Sequence, residues 1–251
     1  MERALLIVSY GTAAAPARAE QTALEDRLAG AVPGCAVWRA VSSPAVRRML
    51  AAQGLDTPSP AGAMERMLAE GVTDLALLPT HLVPGGDFAA VQSAAECRRG
   101  RFARLRVGEP LLADRDAAAQ LAGLAAGWRP ARGALVLVGH GADGPAARCC
   151  YAALAKALPP GIFVGVLRGE PGFAAVLTAL RAGRYRQVML QPLLLTAGTH
   201  ARRELAGPAP DSWVNRLRAA GFGTVCRMQG LAADTGVQQL YLHRLKQLLV
   251  P

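Results

Sequence analysis

The chain repeats itself. ALLIVSYGT (Ala4–Thr12) and ALVLVGHGA (Ala134–Ala142) are both apolar runs that end in a small turn. DLALLPTHLVPGGDF (Asp74–Phe88) and QVMLQPLLLTAGTHA (Gln187–Ala201) form a second matched pair. The repeat sets Tyr10 opposite His140, Pro79 opposite Pro192 and Asp87 opposite His200. One supersecondary pattern is therefore used twice, and that limits the folds open to the chain.

Each copy alternates short apolar runs with helical patterns. In the first, strands are predicted at Ala4–Val8, Cys35–Val41, Asp74–Leu78 and Arg104–Val107. Helices are predicted near Ala17–Ala31, from Pro44 to Gln53 after a Ser43 cap, and at Ala61–Glu70, Phe88–Arg98 and Asp114–Ala126. In the second, strands are predicted at Ala134–Val138, Ile162–Leu167, Gln187–Leu190 and Thr224–Met228. Helices follow at Pro145–Leu158, Phe173–Ala182, through Trp213 to Ala220, and at Thr235–Leu249. Continuous apolar strands between helices mean α/β architecture, with parallel sheets covered on both faces. Two lobes are expected, residues 1–127 and 128–251, joined near Gly127-Trp128-Arg129-Pro130, with the last helix packing across the lobes.

In such sheets ligands bind beyond the carboxyl ends of the strands. His140 sits there between Gly139 and Gly141, which let the backbone turn and leave room for the imidazole. His200 follows the third strand of the same copy. The second strand delivers Arg168 and Glu170. Two imidazoles and a carboxylate suit a divalent transition ion, with His140, Glu170 and His200 as candidate ligands. The bland alternative is that His200 caps the following helix and Glu170 pairs with an arginine. An imidazole is also a fitting base near neutral pH. The other strand-end loops bring Tyr10, Gly11, Thr12, His81, Asp87 and Gly198 to the cleft as candidate substrate-binding residues, with Arg168 beside them. His81, flanked by apolar residues, reads equally well as packing.

Charge narrows the partner. Lys and Arg number 28 against 18 Asp and Glu, a formal +10, so an anion is expected. Aromatics make up 5% and no basic stripe is interleaved with them, which argues against nucleic acid. The five cysteines include no Cys-x-x-Cys, which fits a reducing cytoplasm. The first apolar run is too short for a signal segment, and no window approaches the ~20 apolar residues of a membrane span. A homo-oligomer is left open.

VSYGT, LPTHLVPGGDF, VLVGHGADGPA, FVGVLRGEP, LQPLLLTAGTHARRELAG and DSWVNRLRAAGF, taken together, resemble the CbiK-type sirohydrochlorin cobaltochelatases. These are class II tetrapyrrole chelatases, related in fold to ferrochelatase. The resemblance spans essentially the whole chain. It implies two flavodoxin-like lobes around a cleft for an anionic tetrapyrrole. It also implies insertion of Co²⁺, with Fe²⁺ or Ni²⁺ as alternatives, on the cobalamin pathway, without ATP or an organic cofactor. His140 and His200 match the family's two metal-site histidines, which take up metal and help remove pyrrole protons. One departure stands out. The family usually carries Val-Glu-Gly-x-Pro after the second strand, and here Arg168 occupies the glutamate position of Leu167-Arg168-Gly169-Glu170-Pro171. Glu170 lies two residues on, on the same side if the chain stays extended. A guanidinium there disfavours a nearby cation and favours a substrate carboxylate. A porphyrin substrate and a non-catalytic tetrapyrrole or metal carrier are the rival readings.

Overall fold

A computed structural model describes residues 2–141, 144–199 and 201–250. The first half of the chain runs β1 (Glu2–Ser9), α1 (Ala15–Gly30), β2 (Ala36–Val41), α2 (Pro44–Ala51), α3 (Pro60–Ala69), β3 (Val72–Pro79), α4 (Gly86–Glu96), β4 (Arg104–Val107) and α5 (Arg115–Trp128). The second runs β5 (Ala134–Gly139), α6 (Pro145–Ala157), β6 (Ile162–Val166), α7 (Phe173–Ala182), β7 (Gln187–Pro192), α8 (Trp213–Ala219), β8 (Gly223–Cys226) and α9 (Thr235–Leu249). Among the described residues these strands form two four-stranded sheets, ordered β2-β1-β3-β4 and β6-β5-β7-β8, and every pairing is parallel.

The repeat survives in register. Val8 pairs with Pro79 in one sheet, and Val138 pairs with Pro192 in the other. Beyond each pair the same bonds recur: Thr80 N–H donates to the Val8 carbonyl at 2.9 Å, and Leu193 N–H to the Val138 carbonyl at 2.8 Å. The two central strands thus end alike.

The continuous apolar runs have a cause in the layering. Leu5 and Ile7 join a core shared with Leu135 and Leu137 of the other sheet, filled between by α1, α5, α6 and α9. Ala4, Leu6 and Val8 face the opposite way, onto Met64, Met67 and Phe88. Val136 and Val138 do the same in the second sheet, against Leu180, Trp213 and Leu217. Both faces of the runs Ala4–Val8 and Ala134–Val138 are thus dry, so alternation in direction leaves no polar position within them.

Local signals act as expected at several ends. The Ser43 hydroxyl accepts from Val46 N–H at 3.4 Å, with Pro44 opening α2. Gly71, at φ +84, turns the chain away after α3. Other boundaries move by a residue or two. Gly127 and Trp128, expected in the join, end α5 instead. The Trp128 indole N–H donates to Asp234 Oδ2 at 3.0 Å and so holds the last turn in place.

Helix α9 contacts α1, α5 and β3 of the first half, while α5 contacts α6 of the second. The Tyr241 hydroxyl on α9 donates to the Thr80 carbonyl at 2.8 Å, and both groups are buried. Among the described residues no helix is long and apolar enough to cross a membrane.

Candidate active site

The turn after β5 explains the Gly-His-Gly sequence by packing. A Cβ on Gly139 would lie 2.8 Å from the Tyr151 ring, which closes over the strand end from α6. Gly141 has φ +86, and a Cβ there would collide with the Arg168 carbonyl oxygen. The space read from sequence as room for the imidazole is therefore filled by Tyr151 and by the Arg168 backbone. The two glycines let these neighbours close in, and His140 between them is exposed. Its Nδ1 lies 3.3 Å from the Gly141 carbonyl. Burial pushes the Tyr151 phenol up to about 12, so the group behind the turn stays neutral.

The same turn is built in the first half. Gly11 has φ +93, and a Cβ there would meet Val41 of the neighbouring strand end. The Tyr10 carbonyl accepts from Ser43 N–H at 3.4 Å, and the His140 carbonyl accepts from Arg168 N–H at 3.0 Å. Tyr10 is 45% exposed, in the position that His140 holds in the other sheet. One backbone device thus presents a phenol from one sheet and an imidazole from the other.

The two sets of strand-end loops meet. A Cβ on Gly198 would lie 3.2 Å from Thr12 Oγ1, so the loop after β7 rests against the loop after β1. Thr12 is buried, and its hydroxyl also accepts from Ala14 N–H at 3.4 Å. Thr12 and Gly198, expected at one cleft from separate repeats, are in contact. His81 is half-buried after β3, with Nε2 3.0 Å from the Ser42 hydroxyl and its ring tilted against Phe88. Burial lowers its pKa from the ordinary 6.5 to about 4, so it is neutral near pH 7. Asp87 is partly buried in the first turn of α4.

The segment after β6 departs from the extended path assumed for Glu170. Gly169 takes φ +87 and the Glu170-Pro171 bond is cis, so alternation of side chains does not apply there. Glu170 Oε2 accepts from Gly172 N–H at 2.8 Å, beside the start of α7. Arg168 reaches elsewhere: its Nη2 lies 3.4 Å from both carboxylate oxygens of Glu204. Glu204 stands on a helical turn, Ala201–Leu205, and its side chain is 17% exposed. Arg203 Nη2 is 3.8 Å from the same carboxylate. Sequence reasoning passed over Glu204. Its one local signal is an acidic side chain after the paired arginines in His200-Ala201-Arg202-Arg203-Glu204.

His200 lies outside the described residues. Among the described residues no group of three or more His, Cys, Asp or Glu side chains is arranged to hold a metal ion.

Residues 3–250 match the family model for cobalt chelatase (CbiK). The chain is 32% identical over 253 residues to sirohydrochlorin cobaltochelatase CbiKC of Nitratidesulfovibrio vulgaris, covering 97% of this chain and 89% of that one. It is 29% identical to sirohydrochlorin cobaltochelatase of Salmonella typhimurium, over 99% of this chain and 97% of the relative. Among solved structures, SirB from Bacillus subtilis with Fe³⁺ superposes with a TM-score of 0.68 at 18% identity, covering 99% of this chain and 96% of that one. CbiX, described as the terminal enzyme of siroheme biosynthesis in denitrifying bacteria, gives 0.59 at 20% identity, covering 99% and 100%. The doubled parallel sheet and the strand-end histidine turn are thus found in a chain that belongs to the CbiK family of cobalt chelatases.

Proposed function

We propose that the chain inserts Co²⁺ into sirohydrochlorin without ATP, in the cytoplasm, with no organic cofactor. The observation that carries this reading is His140. It is exposed at the carboxyl end of β5, on a turn whose other positions are closed by packing, and the loops of the two sheets meet nearby at Thr12 and Gly198. Insertion exchanges two pyrrole N–H protons for one M²⁺. A neutral imidazole can take one of those protons or donate its lone pair to the metal. His140 and His200 are assigned these two roles, His200 on the family match. Glu170 is the candidate third ligand, with Oε2 held by Gly172 N–H and Oε1 left to offer.

The anionic ring is matched by exposed cations at the same rim. Arg168 and Arg203 have side chains 67% and 69% exposed, and guanidinium groups bind carboxylates in a fixed geometry. Tyr10 and Thr12 line the ring from the first half, with His81 and Asp87 further along the same strand ends. Fe²⁺ and Ni²⁺ are the competing metals.

Absorbance of sirohydrochlorin with Co²⁺ tests the reading directly. Substoichiometric protein is expected to convert the whole ring pool, and His140→Ala to lower the rate by about 100-fold or more. A spectral shift that stops at one ring per chain would make the protein a carrier. Insertion by His140→Ala at the wild-type rate would remove the role given to His140.

A further inference from the structure

The repeat singles out two polar residues at the carboxyl end of the second sheet. Gly108 N–H donates to the Leu77 carbonyl at 2.8 Å, and Arg227 N–H donates to the Leu190 carbonyl at 2.9 Å. Arg227 therefore stands where the first half has Gly108, and Gln191 stands where it has Leu78. Gln191 is 3% exposed, at the end of a strand whose counterpart keeps a buried leucine. The half that carries His140 thus holds a polar pair where the other has leucine and glycine.

The pair is joined through Gln229. Gln191 Nε2 donates to the Gln229 carbonyl at 2.7 Å. Arg227 Nε and Nη2 both donate to the Gln229 side-chain oxygen, at 3.0 and 2.6 Å. Two nitrogens on one oxygen fix the plane of the guanidinium. They use its side edge and leave the end edge, made by Nη1 and the second hydrogen of Nη2. Among the described residues no carboxylate pairs with Arg227 and no group bonds to Nη1. Arg168 and Arg203, by contrast, both face Glu204. We propose that Arg227 is a substrate anchor: Gln191 and Gln229 hold its guanidinium ready for a carboxylate at the edge of the tetrapyrrole. This rests on the tetrapyrrole reading above.

The placement fits. Leu137 of β5 pairs with Gln191 of β7, and Arg227 lies beside Gln191 at the end of the next strand. Arg227 is therefore two strands from β5, about 10 Å. His140 follows β5 just beyond Leu137. A flat ring has its nitrogens at the centre and its acids at the rim, which suits that offset. The segment also faces the seam between the halves. A Cβ on Gly230 would lie 2.5 Å from Thr196 Cα and 2.6 Å from Glu20 Oε2 on α1. Thr196 belongs to the loop that meets Thr12 through Gly198. Glu20 reaches this turn without an ion pair to Arg227.

Charge and burial supply the reason. Residues 128–251 hold 15 of the 28 Lys and Arg but 5 of the 18 Asp and Glu, so the formal +10 lies within the second half. An exposed side chain such as Arg203 attracts an anion without orienting it. Arg227 is half-buried and already oriented, so it loses little freedom when a carboxylate binds. Burying the Gln191 amide costs free energy, and its Oε1 has no partner among the described residues. Leucine fills the matching position in the first half, so the fold does not require the amide.

The test is binding of sirohydrochlorin to the full chain without metal, read by the fluorescence of the ring. Arg227→Gln is expected to raise Kd by about tenfold or more, and Gln229→Ala by about threefold although the charge is kept. The methyl ester of the same ring has no carboxylates, and wild type and Arg227→Gln are expected to bind it alike. In turnover, Arg227→Gln is expected to raise KM for the ring and to leave KM for Co²⁺ within about twofold. Wild-type ring affinity in Arg227→Gln overturns the proposal. So does an equal loss for the acid and the ester, because the arginine would then only hold the fold. Should Arg227→Gln fail to fold, Gln191→Leu decides. It is expected to keep the unfolding midpoint and to weaken ring binding by about threefold, and wild-type affinity there overturns the anchor. A wild-type chain that binds the ring and inserts no Co²⁺ fails the function proposed above, and the Arg227→Gln comparison still decides the anchor. A wild-type chain that binds no ring overturns both.

Discussion

Two glycines near His140 share a backbone conformation and differ in surroundings. Gly141 and Gly169 have φ +86 and +87, but a Cβ at 141 strikes the Arg168 carbonyl and one at 169 meets nothing within 4 Å. Alanine at either site carries the left-handed penalty, about 1–2 kcal/mol. At 141 the collision is added, and the turn holding His140 must move. Gly169→Ala is therefore expected to cost about 1 kcal/mol in urea unfolding, and Gly141→Ala at least twice that. Equal losses would show that the Arg168 carbonyl is not what confines this turn. His81 gives a pH signature. Its pKa is depressed to about 4, so as pH falls the unfolded chain takes the proton first. The stabilisation is complete above about 6.5 and is lost as pH falls toward 4, at most on the order of 3 kcal/mol. His81→Gln is expected to flatten unfolding free energy across that window, and an unchanged slope would contradict a neutral buried imidazole. His140 was legible in the sequence because a strand, a turn and an imidazole lie in consecutive residues. Glu204 was not, since its meaning comes from Arg168, 36 positions away and on another loop. The position of Glu170 was not legible for a related reason: spacing of two implies one face only while the backbone is extended, and Gly169 bends it.

The strands and most helices were readable from apolar runs and from Ser, Pro and Gly punctuation. The device that joins the halves was overlooked, although it too is repeated. Pro110-Leu111-Leu112-Ala113-Asp114 and Gly230-Leu231-Ala232-Ala233-Asp234 each form a 3-10 turn ending in aspartate. Asp114 Oδ1 accepts from Asp116 and Ala117 N–H at the start of α5, and its Oδ2 accepts from Arg244 on α9 at 2.7 Å. Asp234 Oδ1 accepts from Val237 N–H at the start of α9, and its Oδ2 accepts from Trp128 on α5. Each aspartate caps one closing helix and holds the other. Capping is visible in sequence, but the second bond depends on packing between elements over 100 positions apart. A cap alone is worth about 1 kcal/mol, and a bond to a charged partner roughly 1.5–3 kcal/mol. Asp114→Ala and Asp234→Ala are each expected to lower stability by about 2 kcal/mol, several degrees in Tm. The two aspartates act on the same pair of helices, so the double variant should lose less than the sum. Strict additivity in the urea midpoint would mean that α5 and α9 dock independently.

At the scale of the molecule, the formal +10 acts on both reactants, with opposite sign. The exposed guanidiniums of Arg168 and Arg203 concentrate that charge at the proposed rim, where a carboxylate-rich ring arrives. Steering by a charged surface raises association rates by roughly 10- to 1,000-fold and fades as salt shortens the Debye length from about 30 Å at 0.01 M to 8 Å at 0.15 M. The same field repels Co²⁺ before it reaches any carboxylate. Raising ionic strength over that range is therefore expected to lower kcat/KM for sirohydrochlorin by about tenfold. The KM for Co²⁺ should fall or hold, and kcat should change little, because the buried contacts around the His140 turn are poorly screened. A porphyrin with few carboxylates should show a much weaker salt effect, which makes the same measurement a probe of substrate class. If salt moved both reactants in the same direction, the charge of the chain would have no part in substrate capture. The excess of arginine would then be a matter of surface solvation alone.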